Sequence, residues 1–375
     1  MEKMSRIISE RWQKVEDLID EFCQTDQVPA IALQLAVGDE SRSYFSGRQR
    51  ISDQADTLSD DAVFLVASIT KPIVVSGVLK LLEEGALLLG DRVKRFIPEF
   101  GCAGKHGITL RHLMTHTSGL PDMLPDNQEL RAANAPLSEF VQQICELTPD
   151  EPPGRMVQYQ STGIAILGEV ILRITGQACA DYLRQTLFEP LQMNDTSLGL
   201  TEEWMLGDNP RVTRITEIRI PEELDVEAHW DWNSSYWRRF GAPWGGLLTT
   251  PADLSKFAGM LRAGGRFQDQ QILSPHTIRE AIRDQLPSIA GLSVAARQGK
   301  GWGLGWQIVS ASNSDYYGDL LSRSAFGHGG ATGTVFWVDP ELDASAVILT
   351  TEPQEPHGRF LSLITNRIVA SIEPG

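Results

Sequence analysis

Two residues three positions apart, Ser68 and Lys71, have the types and spacing of a nucleophile and its base. A serine hydroxyl is a poor nucleophile at neutral pH and needs a base within hydrogen-bond reach, and a lysine amine can be that base. At the start of a helix, residues i and i+3 lie on the same face, so the amine would face the hydroxyl. The pair is also compatible with a serine N-cap followed by an exposed lysine, which is a common way to begin a helix.

The sequence around the pair favours the catalytic interpretation. This is the only S-x-x-K in the chain, and the preceding run Phe64-Leu65-Val66-Ala67 is too apolar for a surface cap. Residues 73–82 are apolar nearly all round, which predicts a buried helix. We therefore expect a nucleophilic serine between a short strand and a buried helix.

The composition of the chain indicates the general class of protein. Of its 375 residues, 42% are hydrophobic and 22% are charged, as in an ordinary soluble globular protein. The net charge of −16 repels polyphosphate, so no nucleic-acid partner is expected. Residues 1–14 carry scattered charges and no continuous apolar core, which predicts neither a secretory signal nor a membrane span. A cytoplasmic location is therefore expected, or a periplasmic one if a signal peptide has been removed.

Four widely spaced cysteines form no C-x-x-C pair, so neither a zinc site nor a disulfide framework is predicted. They are Cys23, Cys102, Cys145 and Cys179. We expect them to be reduced and mostly buried.

The apolar periodicity predicts strands at both ends of the chain with helices between them. Amphipathic helices are predicted at 6–24 and 359–372. Strands are predicted at 31–37, 44–47, 303–309, 333–338 and 344–351. The expected fold is α/β (α+β): one antiparallel sheet built from both chain ends, flanked by the terminal helices and carrying an inserted, mostly helical lobe. We expect one domain, 1–375, in which residues 1–66 and 243–375 form the α/β lobe and residues 67–242 the helical lobe, with the active site between them.

Residues 204–244 combine aromatic side chains with acidic residues and a histidine. The aromatic residues are Trp204, Trp230, Trp232, Tyr236, Trp237, Phe240 and Trp244, and the polar ones are Asp225, Glu227, His229 and Asp231. Two interpretations stay open. The segment is either additional core beneath a long loop or an aromatic wall over the substrate pocket.

Five motifs follow one another along the chain. They are 64–72 around Ser68, 110–120 (LRHLMTHTSGL), Pro153-Gly154 to Tyr159-Gln160-Ser161, 245–254 (GGLLTTPADL) and 326–333 (FGHGGATG). In this order they resemble the serine β-lactamase and penicillin-binding-protein superfamily, specifically its class C-like branch of esterases and D-amino-acid peptidases. The resemblance covers nearly the whole chain, and it implies the fold of that superfamily.

The resemblance also implies roles for individual residues. Tyr159 matches the tyrosine of the Y-x-N element and would share proton transfer with Lys71. The backbone N–H groups of Ser68 and Ala331 would form the oxyanion hole, where each donor is typically worth two to three orders of magnitude in rate. Gly329 and Gly330 would allow the backbone to approach the acyl group closely.

Two positions depart from the β-lactamase pattern. Ser161 replaces the asparagine of Y-x-N and loses an amide that both donates and accepts. His328 replaces the lysine of K-T-G, and a histidine with its ordinary pKa near 6.5 is largely neutral at pH 7. We therefore expect weaker recognition of a substrate carboxylate. His328 would polarise Tyr159 or the leaving group, or else bond to the pocket wall.

Other chemistries find less support in the sequence. His112 and His116 have the i, i+4 spacing of a metal pair, but no third ligand or H-E-x-x-H glutamate accompanies them. The chain has no G-x-S-x-G elbow, and its glycine-rich runs lack the G-K-[ST] ending of a phosphate loop. We expect neither a metal nor a cofactor.

The predicted function is that of a serine hydrolase with an acyl-enzyme on Ser68, preferentially on small esters. A D-amino-acid peptidase or amidase, a weak β-lactamase, an acyltransferase and a non-catalytic binding module of the same fold are the alternatives. The expected partner is a small-molecule ester or amide, with no nucleic acid and no membrane. The sequence makes no prediction of the oligomeric state.

Overall fold

The computed structural model describes residues 5–52, 56–207, 210–221, 230–309, 316–354 and 358–375. In this part of the chain the strands are β1 (Arg6–Ile7), β2 (Ala30–Val37), β3 (Glu40–Gly47), β4 (Phe64–Leu65), β5 (Ser197–Leu198), β6 (Leu247–Thr249), β7 (Arg266–Phe267), β8 (Gln270–Gln271), β9 (Gln307–Ile308), β10 (Phe326–Gly330), β11 (Thr334–Asp339), β12 (Ala344–Thr350) and β13 (Ile372–Glu373). The α-helices are α1 (Ser9–Gln24), α2 (Thr70–Glu83), α3 (Leu110–Met114), α4 (Asn127–Ala132), α5 (Leu137–Glu146), α6 (Thr162–Thr175), α7 (Cys179–Leu183), α8 (Ser235–Phe240), α9 (Pro251–Arg262), α10 (Pro275–Ala281), α11 (Val294–Arg297) and α12 (Arg359–Ser371).

A six-stranded antiparallel sheet joins the two ends of the chain, as predicted. Its strand order is β3-β2-β12-β11-β10-β9. The central pairing places β12 beside β2, with Ile348 opposite Leu33. Side chains alternate between the two faces of a strand, so this register puts apolar residues on both faces.

Helices cover both faces of the large sheet. On one face, α1 and α12 pack against residues such as Leu33, Trp337 and Ile348. On the other face, α9 places Phe257 against Trp306 and Phe336. A sheet with both faces covered explains why β11 and β12 are fully buried and read as continuous apolar runs.

The inserted helices form a second layer whose centre is α2. Nearly every residue of α2 is buried, and Gly77 allows close packing because a Cβ there would lie 2.7 Å from Leu183 of α7. A small sheet of order β4-β6-β5 joins these helices to the rest of the molecule, and its strand β4 leads directly into the Ser68 segment. The predicted helix at 73–82 is therefore confirmed, and it extends over Thr70–Glu83.

Two expectations from the sequence are corrected. The strand predicted at 303–309 contains only Gln307–Ile308, since Gly305 takes a φ of +80° that an extended strand does not allow. The cysteines are free, but only Cys145 and Cys179 are buried, whereas Cys102 is exposed. The lobe boundaries at residues 66 and 243 stay a prediction.

Within the described residues, no single helix is long and apolar enough to cross a membrane. The bent pair Thr162–Thr175 and Cys179–Phe188, which meet at 78°, passes that test only when taken together.

Candidate active site

The nucleophile segment is a tight turn held by its neighbours. Ala67–Ile69 forms a single 3₁₀ turn before α2, and Ala67 takes a φ of +44°, which is uncommon for a residue with a side chain. Thr70 Oγ1 donates to the Ala67 carbonyl (2.6 Å) and accepts the Leu247 N–H (3.0 Å), which ties the turn to β6. These two hydrogen bonds fix Ser68 just before the N-terminus of α2.

Lys71 faces Ser68, as the i, i+3 spacing predicts. Its Nζ lies 2.8 Å from Ser68 Oγ and 3.0 Å from the carbonyl oxygen of Trp244, to which it donates. Burial lowers the pKa of Lys71 to about 7; the Arg131 cation lowers it too, while the Asp122 carboxylate opposes the shift. A lysine with this pKa is partly unprotonated at neutral pH and can accept the Ser68 proton.

Tyr159 completes a group of three with Ser68 and Lys71. Its hydroxyl is a hydrogen-bond partner of Ser68, and the Lys71 Nζ lies 4.6 Å from the centre of its ring. Burial raises the pKa of Tyr159 well above its usual value, against the opposing effect of the Ser68 hydrogen bond. The phenol therefore stays protonated, and Lys71 is the group able to accept a proton at rest.

The end of β10 approaches the nucleophile through its glycines. A Cβ on Gly330 would lie 2.3 Å from the carbonyl oxygen of Val66, so only glycine fits there. Beyond the strand, Thr332 Oγ1 donates to the Leu65 carbonyl (2.7 Å). These contacts hold the turn containing the exposed Ala331 against the residues that precede Ser68, and the oxyanion role of the Ala331 N–H stays a prediction.

His328 is buried at the centre of β10 and carries no charge. Its Nδ1 donates to the Gly329 carbonyl (2.7 Å), because a carbonyl oxygen can only accept, and Nε2 therefore bears the lone pair. Burial and the nearby Lys71 lower the pKa of His328 to about 3. Its ring lies 6.1 Å from the Tyr159 ring and 5.8 Å from the Trp302 ring, between centres.

Ser161 lies at the start of α6 and is tied to Asp122 through its backbone. Its N–H donates to Asp122 Oδ1 (2.7 Å), and the residue lines a small cavity of about 10 Å³ together with Trp244. Within the described residues, the hydrogen bonds of Lys71 go to Ser68 and Trp244. The structure thus places Ser161 beside the site but does not join it to the reacting pair.

A cleft of about 590 Å³ lies next to Tyr159. Its lining comprises Asp122, Met156, Val157, Gln158, Tyr159, Gly299, Lys300, Trp302 and Gln307. The Lys300 Nζ donates to the Val157 carbonyl (2.7 Å). Sequence reasoning singled out neither Asp122 nor Trp302; the only signal was that Asp122 closely follows the 110–120 motif.

The aromatic segment belongs mostly to the core. Trp204, Trp230, Trp237 and Trp244 are buried in the main apolar cluster, and Trp232, Tyr236 and Phe240 pack against it. Arg131 lies between Trp230 and Trp237, 4.4 Å from each ring. The first interpretation therefore holds, with the addition that the Trp244 carbonyl binds Lys71. Asp225, Glu227 and His229 lie outside the described residues.

The two histidines of the 110–120 motif have separate roles. His112 Nδ1 accepts the Thr109 N–H (3.2 Å) in a capping box at the start of α3. His116 is buried against Tyr159 and Trp302. No group of three or more potential metal ligands occurs among the described residues.

Comparison with known proteins agrees with this geometry. The sequence pattern of the β-lactamase family matches residues 15–367. Penicillin-binding protein 4 of Amycolatopsis lactamdurans is 30% identical over 331 residues, covering 87% of this chain and 80% of that protein. Esterase EstB of Burkholderia gladioli is 28% identical over 324 residues, covering 80% of this chain and 79% of that protein. A penicillin-binding protein homologue from Caulobacter crescentus has the same fold, with a TM-score of 0.77 at 20% identity over 98% of this chain and 100% of that one.

Proposed function

Because the chain belongs to the β-lactamase family, we propose that this serine hydrolase is a carboxylesterase that cleaves small esters through an acyl-enzyme on Ser68. A likeness to esterase EstB, at 28% identity, supports the proposal. It requires neither a metal nor a cofactor, since Lys71 and Tyr159 can carry out the proton transfers.

The observation that carries the proposal is the neutral His328. In its place a lysine would present a permanent cation to a substrate carboxylate, whereas His328 has a pKa of about 3 and is buried. A substrate carboxylate thus gains no charge pairing from this strand. An uncharged ester needs none, because its acylation depends on the nucleophile and the oxyanion hole.

The reaction begins with attack of Ser68 Oγ on the ester carbonyl carbon while the hydroxyl proton passes to Lys71 Nζ. The tetrahedral oxyanion is held by the N–H groups of Ser68 and Ala331. As the alkoxide leaves, it takes a proton from the Tyr159 hydroxyl, which Lys71 restores. A water molecule then attacks the acyl-enzyme, its proton moves through the same pair, and Ser68 Oγ is released as a hydroxyl with the free acid.

A second candidate is an amide hydrolase acting on D-amino-acid substrates, and Asp122 favours it. This carboxylate lines the cleft beside Tyr159. It would attract a substrate ammonium group, which a simple ester lacks. Asp122→Asn keeps an oxygen for the Ser161 N–H and removes only the charge. A selective loss of activity on amine-bearing substrates would therefore support this second function.

Initial rates on three substrates test the proposal. They are a short p-nitrophenyl ester, a chromogenic cephalosporin and a D-alanine p-nitroanilide, each assayed with the native protein and with Ser68→Ala. The exposed helix residue Ser138, changed to alanine, is the matched control. We expect the ester to be the best substrate and its turnover to disappear only in Ser68→Ala, whose unfolding temperature stays unchanged. Better turnover of the cephalosporin or the anilide would overturn the esterase assignment.

A further inference from the structure

His116 holds an unusual backbone conformation next to the active site. It follows α3 with a φ of +56°, a left-handed conformation that side-chain-bearing residues rarely adopt. Such strain persists only where surrounding contacts hold the residue, and it is concentrated at functional sites. The hydrogen bonds of His116 lead to the segment around Tyr159, and its ring packs on both Tyr159 and Trp302.

These contacts lie on both sides of Tyr159. The carbonyl oxygen of His116 accepts the Gln158 N–H (2.8 Å), and its Nδ1 accepts the Gln160 N–H (3.2 Å). The imidazole also packs on the tyrosine itself, with ring centres 4.8 Å apart. One residue therefore anchors the backbone before and after Tyr159 and contacts its ring.

The protonation state of His116 follows from these bonds. Because the Gln160 N–H can only donate, Nδ1 carries the lone pair, and the proton is on Nε2. Burial, together with the charge of Lys71, lowers the pKa of His116 well below its usual value. The acceptor at Nδ1 is thus retained across the pH range in which the enzyme would work.

We propose that His116 is a positioning residue that holds the Tyr159 hydroxyl against Ser68 by binding the backbone on both sides of the tyrosine. The inference rests on the proposed role of Tyr159 in proton transfer. A displacement of about 1 Å in a catalytic group can cost about 100-fold in rate. When the hydrogen bonds between His116 and the backbone on both sides of Tyr159 are removed, we therefore expect kcat to fall about 100-fold, with little change in KM.

Two substitutions of similar size test whether the Nδ1 acceptor of His116, rather than the volume of its side chain, is what positions Tyr159. His116→Asn places an amide oxygen where Nδ1 lies and tolerates the left-handed conformation. His116→Gln places its amide group where Nε2 lies. We expect His116→Asn to stay within a few-fold of the native kcat, and His116→Gln and His116→Ala to fall about 100-fold.

A double-substitution cycle with Tyr159→Phe separates positioning from a general effect on the fold. If His116 acts through Tyr159, His116→Ala costs about 100-fold in the native background and less than about threefold in Tyr159→Phe. Equal losses in both backgrounds, or a His116→Ala enzyme with native kcat, would overturn the inference. Should His116→Ala not be recovered folded, His116→Gln takes its place in the cycle, with His116→Asn as the control that retains the hydrogen-bond acceptor.

The control for the underlying function is independent of this cycle. If Tyr159→Phe keeps native activity while Ser68→Ala is inactive, the serine hydrolase assignment stands and the positioning role of His116 is refuted. If Ser68→Ala is active, the proposed function fails first.

Discussion

The lowered pKa of Lys71 makes the pH dependence of the reaction a direct test of the proposed base. The shift to about 7 from the ordinary value near 10.4 corresponds to about 5 kcal/mol of differential stabilisation of the neutral amine. Only the neutral form can accept the Ser68 proton. About one tenth of Lys71 would be neutral at about pH 6 and about nine tenths at about pH 8, so kcat/KM for an uncharged ester should rise about tenfold over this interval.

The neighbouring charges allow the assignment to be tested at Lys71 itself. Asp122 raises the pKa of Lys71 and Arg131 lowers it. The midpoint of the pH profile should therefore move to lower pH in Asp122→Asn and to higher pH in Arg131→Met. Asp122→Glu and Arg131→Lys retain the charges and should leave the midpoint close to its native position.

The assay is kcat/KM for p-nitrophenyl acetate, recorded at the isosbestic wavelength of p-nitrophenol so that its own ionisation does not enter. His328 and His116 do not contribute an inflection in this range, because burial keeps both imidazoles neutral. A profile that is flat between about pH 6 and pH 8, or midpoints that move the same way in Asp122→Asn and Arg131→Met, would refute Lys71 as the base.

Three further substitutions have defined outcomes. Lys71→Ala should reduce kcat/KM about as far as loss of the nucleophile, roughly 10⁴-fold or more, and the double substitution should cost little extra. His328→Lys should raise kcat/KM for an ester with a carboxylate on its acyl group relative to an uncharged isostere, with His328→Gln as the uncharged control; an unchanged ratio would show that this position does not face the substrate. Gly330→Ala should abolish activity and lower the unfolding temperature, because the new Cβ would lie 2.3 Å from the Val66 carbonyl oxygen, whereas Gly259→Ala, with nothing within 4 Å, should keep both.

Much of the fold could be predicted because its signals are periodic. The apolar alternation in Ala30–Val37 and the continuous apolar run of Ala344–Thr350 both report burial on the sheet. The pairing of these two distant strands required the additional premise that both chain ends share one sheet. The strand predicted at 303–309 failed because the left-handed Gly305 interrupts it, and apolar periodicity carries no information about φ.

The candidate site could be predicted only where its residues carry a motif. Ser68, Lys71 and Tyr159 do lie together. The first two could be predicted from helix geometry, and the third from the order of the motifs. Asp122 and Trp302 line the cleft without any motif of their own. His116 was part of a motif, yet its contacts to Gln158 and Gln160 depend on long-range packing that spacing alone does not show.

The two departures from the β-lactamase pattern act on different parts of the chemistry. The base does not need a lysine at position 328, because burial is the largest cause of the lowered pKa of Lys71 and the Arg131 cation adds to it. The charge on Lys71 also helps to keep His328 neutral. Of these two groups, only Lys71 therefore titrates near neutral pH, whereas a lysine at position 328 would place a second cation beside it. Having His328 in place of the K-T-G lysine therefore removes a binding charge while leaving the nucleophile and its base in place. This is why we expect the substrate preference, and not the mechanism, to differ from that of a β-lactamase.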